Sequence, residues 1–516
     1  MSFKYLSVRI LLFLFALTVF FGKADEVSLR GIDSNIHATV SRALVSGPNV
    51  LVPAVPIPAV NEYSWGEAGA RRSVEQERRL RESSALTPPP PHIFNDHPIG
   101  FFLINGWVMK ALGASFWSAR LATAVSGALA VVMVFELALA LGAPGVGIVA
   151  ALVFAATREF VLSAAAVSLD PPLVFLILLS FVLWLRGRWW QASLVAGLGF
   201  WVKTPVCLLL FPSMVFFGWW QTRKLSAFAK PAAGALLALG VGALHWLALI
   251  VLTGSSDIVL DYWQGQLGGT LLHGRGGGRL DPLFFPRHIL KSFWPWLPLA
   301  IAGAVTTLRT RSRLGGLAFS VILILWFTFA PMTSLMSHYF LPALPFLALL
   351  AAIPFQNRLE QRLPFVKQVL LALTLFVLSI AALTPIPFAP EPFPALRKFA
   401  PYIRQTGGCD DEIVWVPGGE PRGSVADAAM WLNFVTARAV VTLSCEQLRG
   451  RIGEARLRWV IVSDENFRGC NALKAAHPLF RYQNQWLLGF AKGFDRTVAD
   501  LRPLEGGTQI EVRCPR

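Results

Sequence analysis

Repeated apolar runs long enough to cross a bilayer decide what this chain can be. A helix spanning a hydrocarbon core of roughly 30 Å needs about 20 apolar residues. One such run covers residues 5–22, and others begin near Trp117, Val146, Pro171, Gln191, Pro205, Pro231, His288, Leu314, Tyr339 and Val366. The pattern predicts a polytopic α-helical membrane protein with about eleven transmembrane helices. Composition agrees: 54% of the 516 residues are apolar and 15% charged, where soluble domains carry roughly 25% charge. A disordered chain and a soluble globular enzyme are both excluded on that basis. Residues 5–22 follow Lys4 and contain Arg9, as a signal peptide would, but no clear small-x-small cleavage site follows and many more spans do, so an uncleaved helix is expected. Residues 101–114 are too short to cross and read as an interfacial helix.

Basic residues give the orientation. The net charge is +16, yet the excess lies largely between apolar runs rather than in a nucleic-acid-binding patch. Arg186/Arg188, Arg223/Lys224, Arg309/Arg311/Arg313 and Arg358/Arg362/Lys367 fall at every second gap, marking the cytoplasmic side. The N-terminus is then inside. The outer side receives residues 23–98, the turn before Asp170, Lys203, the loop 254–286, residues 331–338 and everything after 385. The expected division is a membrane unit over residues 1–386, with large outer loops at 23–98 and 254–286, and a small outer α/β domain over 387–516. In that tail, short β-rich runs at 413–416, 439–443, 459–462 and 486–490 alternate with helix-like stretches such as 425–437. Cysteines support the same side. Cys207 lies in an apolar run, whereas Cys409, Cys445, Cys470 and Cys514 share the tail without a Cys-x-x-Cys. That usage points to disulfides in an oxidising compartment rather than zinc, with buried unpaired thiols the alternative. Three pairings stay open.

Charged groups beside a span are expensive and are usually functional or paired. Several gather on the outer side. Asp33 follows the first span in Gly-Ile-Asp-Ser-Asn-Ile-His; it is either a helix N-cap or a general base. Asp96 and His97 precede Pro98, and His97 reads as a loop histidine or an anion contact. Asp170 stands before Pro171-Pro172, again as N-cap or functional carboxylate. Lys203 lies between two apolar runs and either snorkels or meets a phosphate or carboxylate. The loop holding Tyr262, His273, Arg275 and Arg279 is basic and glycine-rich, suited to a lipid phosphate or simply solvated. His338 and Tyr339 open a later span. No Asp-x-Asp, Walker A loop or dinucleotide fingerprint occurs. No clear ligand set requires a metal or another cofactor, although His37, His92 and His97 with Asp33 or Asp96 are the residues a divalent ion would use.

Taken in order and on one face, these residues resemble the membrane glycosyltransferases that use polyprenyl-phosphate sugars, the GT-C superfamily. The similarity is greatest to the branch holding the bacterial aminoarabinose transferase and the protein O-mannosyltransferases, and it covers roughly residues 1–385. The resemblance implies that Asp33 is the catalytic acid residue of the first outer loop. His97 takes the position before the family's Pro-Pro, where the mannosyltransferases also have His. Ala119-Arg120-Leu121 matches the motif opening the second span, Asp170 the aspartate before the fourth, and Lys203 the family's Thr-Lys-Gly-Pro element. Four departures stand out: Ser34 for Glu, Ile99 for the second Pro, Thr204 for Gly, and Ser337-His338 where a Lys precedes the Tyr-Leu-Leu-Pro motif.

The resemblance implies an inverting glycosyltransferase in a bacterial inner membrane, undecaprenyl phosphate or a similar polyprenyl phosphate as sugar carrier, and a periplasmic C-terminal domain. A lipid A, glycan or protein hydroxyl or phosphate would accept the sugar. Asp33 would take the acceptor's proton, Asp170 would orient an acceptor or a cationic partner, and His97, Lys203 and Arg275 or Arg279 would hold the leaving phosphate. Two alternatives are a lipid-linked glycan polymerase or ligase and a non-enzymatic lipid or solute transporter. Repeated halves with broken helices would mark the transporter, and none are evident.

Overall fold

The computed structural model describes residues 5–22, 32–46, 50–51, 94, 97–203, 205–223, 228–254, 256–263, 281, 283–332, 336–356, 394–406, 411–416, 422–436, 438, 440–452, 457–471, 473, 476–482 and 485–489. The expected span near Val366 lies outside them. The described elements of the membrane part are helices: α1 (Leu6–Gly22), α2 (Ile32–Ser46), α3 (Gly100–Leu112), α4 (Phe116–Ala140), α5 (Pro144–Ala155), α6 (Arg158–Ala164), α7 (Asp170–Leu185), α8 (Trp189–Phe200), α9 (Leu210–Thr222), α10 (Ala229–Thr253), α11 (Asp257–Tyr262), α12 (Phe284–Phe293), α13 (Leu297–Thr310), α14 (Arg313–Phe329) and α15 (Leu344–Ala352).

Local sequence explains several of these boundaries. Ser115 and Ser118 form a reciprocal capping box that starts α4, satisfying backbone donors that have no partner within the helix. Pro144 opens α5 and Pro171-Pro172 open α7, where a missing N–H costs nothing. Gly254 ends α10 with a positive φ of 68°.

Counted by length and apolarity, the described residues hold three helices able to cross a membrane: Phe116–Ala140, Ala229–Leu252 and His338–Phe355. The number rises to five if two bent pairs each make one span, α5 with α6 at 69° and α12 with α13 at 116°. Five further apolar helices of 10–17 residues accompany them. The described residues therefore do not confirm the expected count of about eleven full spans. The apolar runs do form helices, but at about 1.5 Å per residue many are short for a 30 Å core.

Helices α4, α7 and α8 pack at the centre, with α1 and α5 against α4. One buried charge holds this packing at the end of α4. Glu136, 1% exposed, accepts from Arg9 of α1 and from Arg186 at the end of α7.

The C-terminal part is a five-stranded sheet with α16 (Pro394–Thr406), α17 (Arg422–Thr436), α18 (Cys445–Arg451) and α19 (Asp464–Gly469). Its strands are β1 (Glu412–Val416), β2 (Val440–Thr442), β3 (Leu457–Ser463), β4 (His477–Tyr482) and β5 (Gln485–Gly489), in the order β2-β1-β3-β5-β4. β1 runs parallel to β2 and β3, while β5 is antiparallel to β3 and β4. Side chains alternate as strand geometry requires. Ile413, Trp415, Trp459 and Ile461 join the core shared with α16 and α17. Val414, Val416, Val460 and Val462 face a second core with Leu448 and Cys470. Cys445 and Cys470 form a disulfide, with Cα atoms 5.7 Å apart. Cys409 and Cys514 lie outside the described residues.

Candidate active site

Helix α2 begins one residue before Asp33 and carries that carboxylate in its first turn, exposed. His37 follows one turn later on the same face and is buried. Its Nδ1 lies 2.9 Å from the carbonyl oxygen of Val167. A carbonyl only accepts, so Nδ1 carries the proton and Nε2 is left as the acceptor of the neutral ring. Burial pushes the His37 imidazole below its ordinary pKa, against the opposing pull of the Asp33 carboxylate. The ring meets His97 at 5.7 Å between centroids and Phe102 at 5.6 Å. Asp33 also acts electrostatically on His338, so residues far apart in the chain face the same site.

Val167 belongs to the turn that delivers Asp170. Ser168 is clasped by Thr123 of α4, whose Oγ1 donates to the Ser168 carbonyl at 3.2 Å and accepts from its N–H at 3.3 Å. The Ser168 hydroxyl accepts from the Asp170 N–H at 3.2 Å and lies 3.4 Å from Oδ2. Asp170 is not the cap of α7, because Leu169 holds that position and makes no side-chain cap bond. Instead Oδ1 accepts from Lys203 Nζ at 2.8 Å. The two side chains are 12% and 9% exposed for Lys203 and Asp170. Of the two readings left open for Lys203, snorkelling fails: the ammonium turns inward to a carboxylate.

Lys203 ends a turn after α8 and is tied to the His97 corner through the backbone. Gly100 N–H, three residues past His97, donates to the Trp201 carbonyl at 2.7 Å. A Cβ on Gly100 would stand 2.6 Å from that oxygen, so only glycine permits the approach. The Lys203 ammonium also lies 5.6 Å from the centroid of the Tyr339 ring, a cation–π distance. Tyr339 stacks on Phe329 and meets the His338 ring at 4.8 Å.

Tyr339 forms part of the wall of a small apolar cleft of about 50 Å³, together with Phe285, Ile289, Leu325, Trp326 and Phe340. The Lys203 ammonium, paired with Asp170, therefore stands over a ring that lines this cleft. Such a set can hold an anion, take up a proton and seat a hydrocarbon chain.

The structure thus brings together Asp33, His97, Asp170, Lys203, His338 and Tyr339. Arg120 is buried on α4, one turn ahead of Thr123. Tyr262 packs elsewhere, against Trp246 at 4.5 Å, in a cluster with Leu249. Asp96, His273, Arg275 and Arg279 lie outside the described residues. Among the described residues no group of three or more His, Cys, Asp or Glu is placed to hold a metal ion. Sequence reasoning assigned His37 only to a possible metal set and missed its place beside Asp33. The four-residue spacing on one helix was the available signal. Ser168 and Thr123, which position Asp170, left no signal at all.

Comparison with known proteins follows the geometry. Residues 96–247 match the family model described as dolichyl-phosphate-mannose-protein mannosyltransferase, the segment carrying His97, Arg120, Asp170 and Lys203. A search of curated proteins by sequence finds no match. Among solved structures, ArnT from Cupriavidus metallidurans bound to undecaprenyl phosphate superposes with a TM-score of 0.67 at 14% identity, over 95% of this chain and 99% of that one. Its apo state gives 0.65 at 15% identity, over 94% and 98%. The Archaeoglobus fulgidus oligosaccharyltransferase, tethered with an acceptor peptide containing the NVT sequon, gives 0.50 at 12% identity, over 95% of this chain and 74% of that one. The family match covers under a third of the chain, and the chain shares its fold with these solved structures.

Proposed function

We propose that the chain is an inverting glycosyltransferase that moves a sugar from a polyprenyl-phosphate donor to a hydroxyl or phosphate acceptor at the periplasmic face of a bacterial inner membrane. The observation that carries this reading is the placement of Lys203 over Tyr339, a residue that lines the apolar cleft. A lipid phosphate needs a cation for its head and an apolar wall for its chain, and these are adjacent here. Undecaprenyl phosphate in the ArnT structure supports that class of carrier. The acceptor peptide in the oligosaccharyltransferase structure supports a protein acceptor as one option beside lipid A or another glycan.

The chemistry follows from the side chains. An acceptor oxygen attacks the anomeric carbon while the bond from that carbon to the donor phosphate oxygen breaks. Asp33, exposed at the start of α2, takes the acceptor's proton. Negative charge grows on the departing polyprenyl phosphate and is met by Lys203, with His97 alongside. Asp170 holds Lys203 in place and orients the acceptor side. Single displacement inverts the anomeric centre. The scheme uses side chains alone. The division into a membrane unit over 1–386 and a periplasmic domain over 387–516, with the N-terminus cytoplasmic, belongs to the same reading. The Cys445–Cys470 disulfide supports the oxidising side for that domain.

The test is purified full-length protein in detergent with a small panel of radiolabelled polyprenyl-phosphate sugars, following donor consumption and the label's destination. Consumption of one donor with transfer of its label is expected. Absence of both binding and turnover with every donor would sink the reading and favour transport.

A further inference from the structure

We infer that Arg42 is a positioning residue through which the C-terminal domain holds the Asp33 helix in place, an inference that rests on the transferase reading for its catalytic readout only. Helix α2 has two working faces. One carries Asp33 and His37 toward the site. The other meets the C-terminal domain through Thr39 and Arg42. Arg42 Nη1 donates to the carbonyl oxygens of Phe434 and Asn433. Thr39 Oγ1 donates to the Met430 carbonyl at 3.2 Å. Asn433 and Phe434 are among the last four residues of α17, whose carbonyls lose their intrahelical partners and where the helix dipole is negative, and Met430 lies one turn earlier. A guanidinium there satisfies orphan acceptors and complements the dipole at once.

The rest of the neighbourhood is built to make that end of α17 rigid. Asn433 Nδ2 donates to the Arg438 carbonyl at 2.6 Å, and Thr436 Oγ1 donates to the Leu432 carbonyl at 2.7 Å. Phe116, at the start of α4, stacks on Trp431 at 6.4 Å and meets Phe434 at 5.8 Å. The end of α17 is therefore fixed to the membrane part at two places, α4 and α2. On its other side α2 is braced by α3: Asn105 Nδ2 donates to Ser41 Oγ at 3.3 Å, and Gly106 lies against the Ser41 carbonyl. Asp33 itself is exposed and near the free end of the helix. Its position is set from behind, by Arg42 and Thr39 at the far end and by the His37 bond to Val167. The domain needs no residue in the reaction to matter for it.

The experiment compares wild type, Arg42→Met, Arg42→Lys and Thr39→Val as full-length protein in detergent. Hydrogen exchange is read over residues 32–46 and over α4 and α7 as internal reference. Binding of undecaprenyl phosphate and turnover of the radiolabelled donor are read in parallel. Arg42→Met is expected to raise exchange in 32–46 at least tenfold, leave α4 and α7 protected, and lower kcat at least tenfold with unchanged undecaprenyl phosphate affinity. Arg42→Lys, which keeps a cation on the same carbonyls, is expected to recover part of both losses. Thr39→Val is expected to move both readouts in the same direction by less, and it carries the test if Arg42→Met does not fold. Wild-type exchange over 32–46 in the variants, or loosened exchange with wild-type kcat, overturns the inference. If wild type turns over no donor, the transferase reading has failed, and the exchange measurement still decides whether Arg42 holds α2.

Discussion

Lys203 and Asp170 hold each other 2.8 Å apart, Nζ to Oδ1, with little of either side chain open to solvent. They come from turns 33 residues apart in the chain, one after α8 and one before α7. A buried pair of this kind is costly to form and costlier to break. Its worth here lies in presenting an ammonium at a fixed point beside Tyr339.

Removing one partner strands the other. Lys203→Met is expected to destabilise the protein by about 3–5 kcal/mol, because the Asp170 carboxylate stays buried without its counter-charge. Lys203→Met with Asp170→Asn is expected to recover much of that stability and none of the donor turnover. Thermal melting in detergent alongside the radiolabel assay separates the two effects, and recovered turnover in the double variant would contradict the role given to Lys203.

Glu136 makes the contrasting case. It is buried between Arg9 and Arg186 at the opposite end of α4 and α7 from the site. Glu136→Gln leaves two guanidiniums facing a neutral amide, a loss of about 3–5 kcal/mol by the same argument. Turnover per folded molecule is expected to stay within about twofold, since nothing in the site touches this cluster. Melting temperature and specific activity of the folded fraction check both halves.

These two pairs show how far the sequence could be read. Asp170 and Lys203 were visible as outer-side charges, and a carboxylate contact for Lys203 and a cationic partner for Asp170 were among the readings offered beside snorkelling and N-capping, but nothing in the sequence named each as the other's partner. Pairing across 33 residues depends on how two turns pack, which local pattern does not encode. Glu136 was legible in kind, as an ionisable group inside an apolar run, yet nothing in the sequence points to Arg9 and Arg186 as its partners. The β-rich runs at 413–416, 439–443, 459–462 and 486–490 became β1, β2, β3 and β5 within about two residues, because strands buried on both faces read as continuous apolar runs. β4 was missed: His477–Tyr482 holds Pro478 and Arg481, which suit an edge strand and break the pattern. The span count went beyond what the described helices confirm for a related reason. Hydropathy registers apolar length, not the bends at 69° and 116° that fold two of the runs.

His37 gives a pH dependence with a definite sign. Its folded pKa lies below the ordinary value of about 6.5, so the unfolded chain binds the extra proton first. This contribution to stability is complete above about pH 6.5 and is lost as pH falls toward the lower folded value. His37→Asn keeps a donor for the Val167 carbonyl and removes the titration. Melting temperatures from pH 7.5 to 5.5 are expected to fall more steeply for wild type than for the variant. Parallel slopes would contradict a buried neutral His37.

The Cys445–Cys470 bond closes a loop with a sequence separation of 25. Chain-entropy reasoning puts its contribution at about 3 kcal/mol. Cys445→Ser is expected to lower the stability of the C-terminal domain by that order, read by proteolysis of the tail. Peptide mapping without reductant is expected to return Cys445 joined to Cys470.

The most direct measurement pairs transfer with binding in Asp33→Asn. Purified wild type and variant are given the radiolabelled polyprenyl-phosphate sugar that wild type consumes, and undecaprenyl phosphate binding is measured on the same preparations. A base contributes on the order of 10²–10⁴ in rate, so transfer by the variant is predicted to fall at least ~100-fold while binding matches wild type. Full transfer by Asp33→Asn would contradict Asp33 as the group that takes the acceptor's proton.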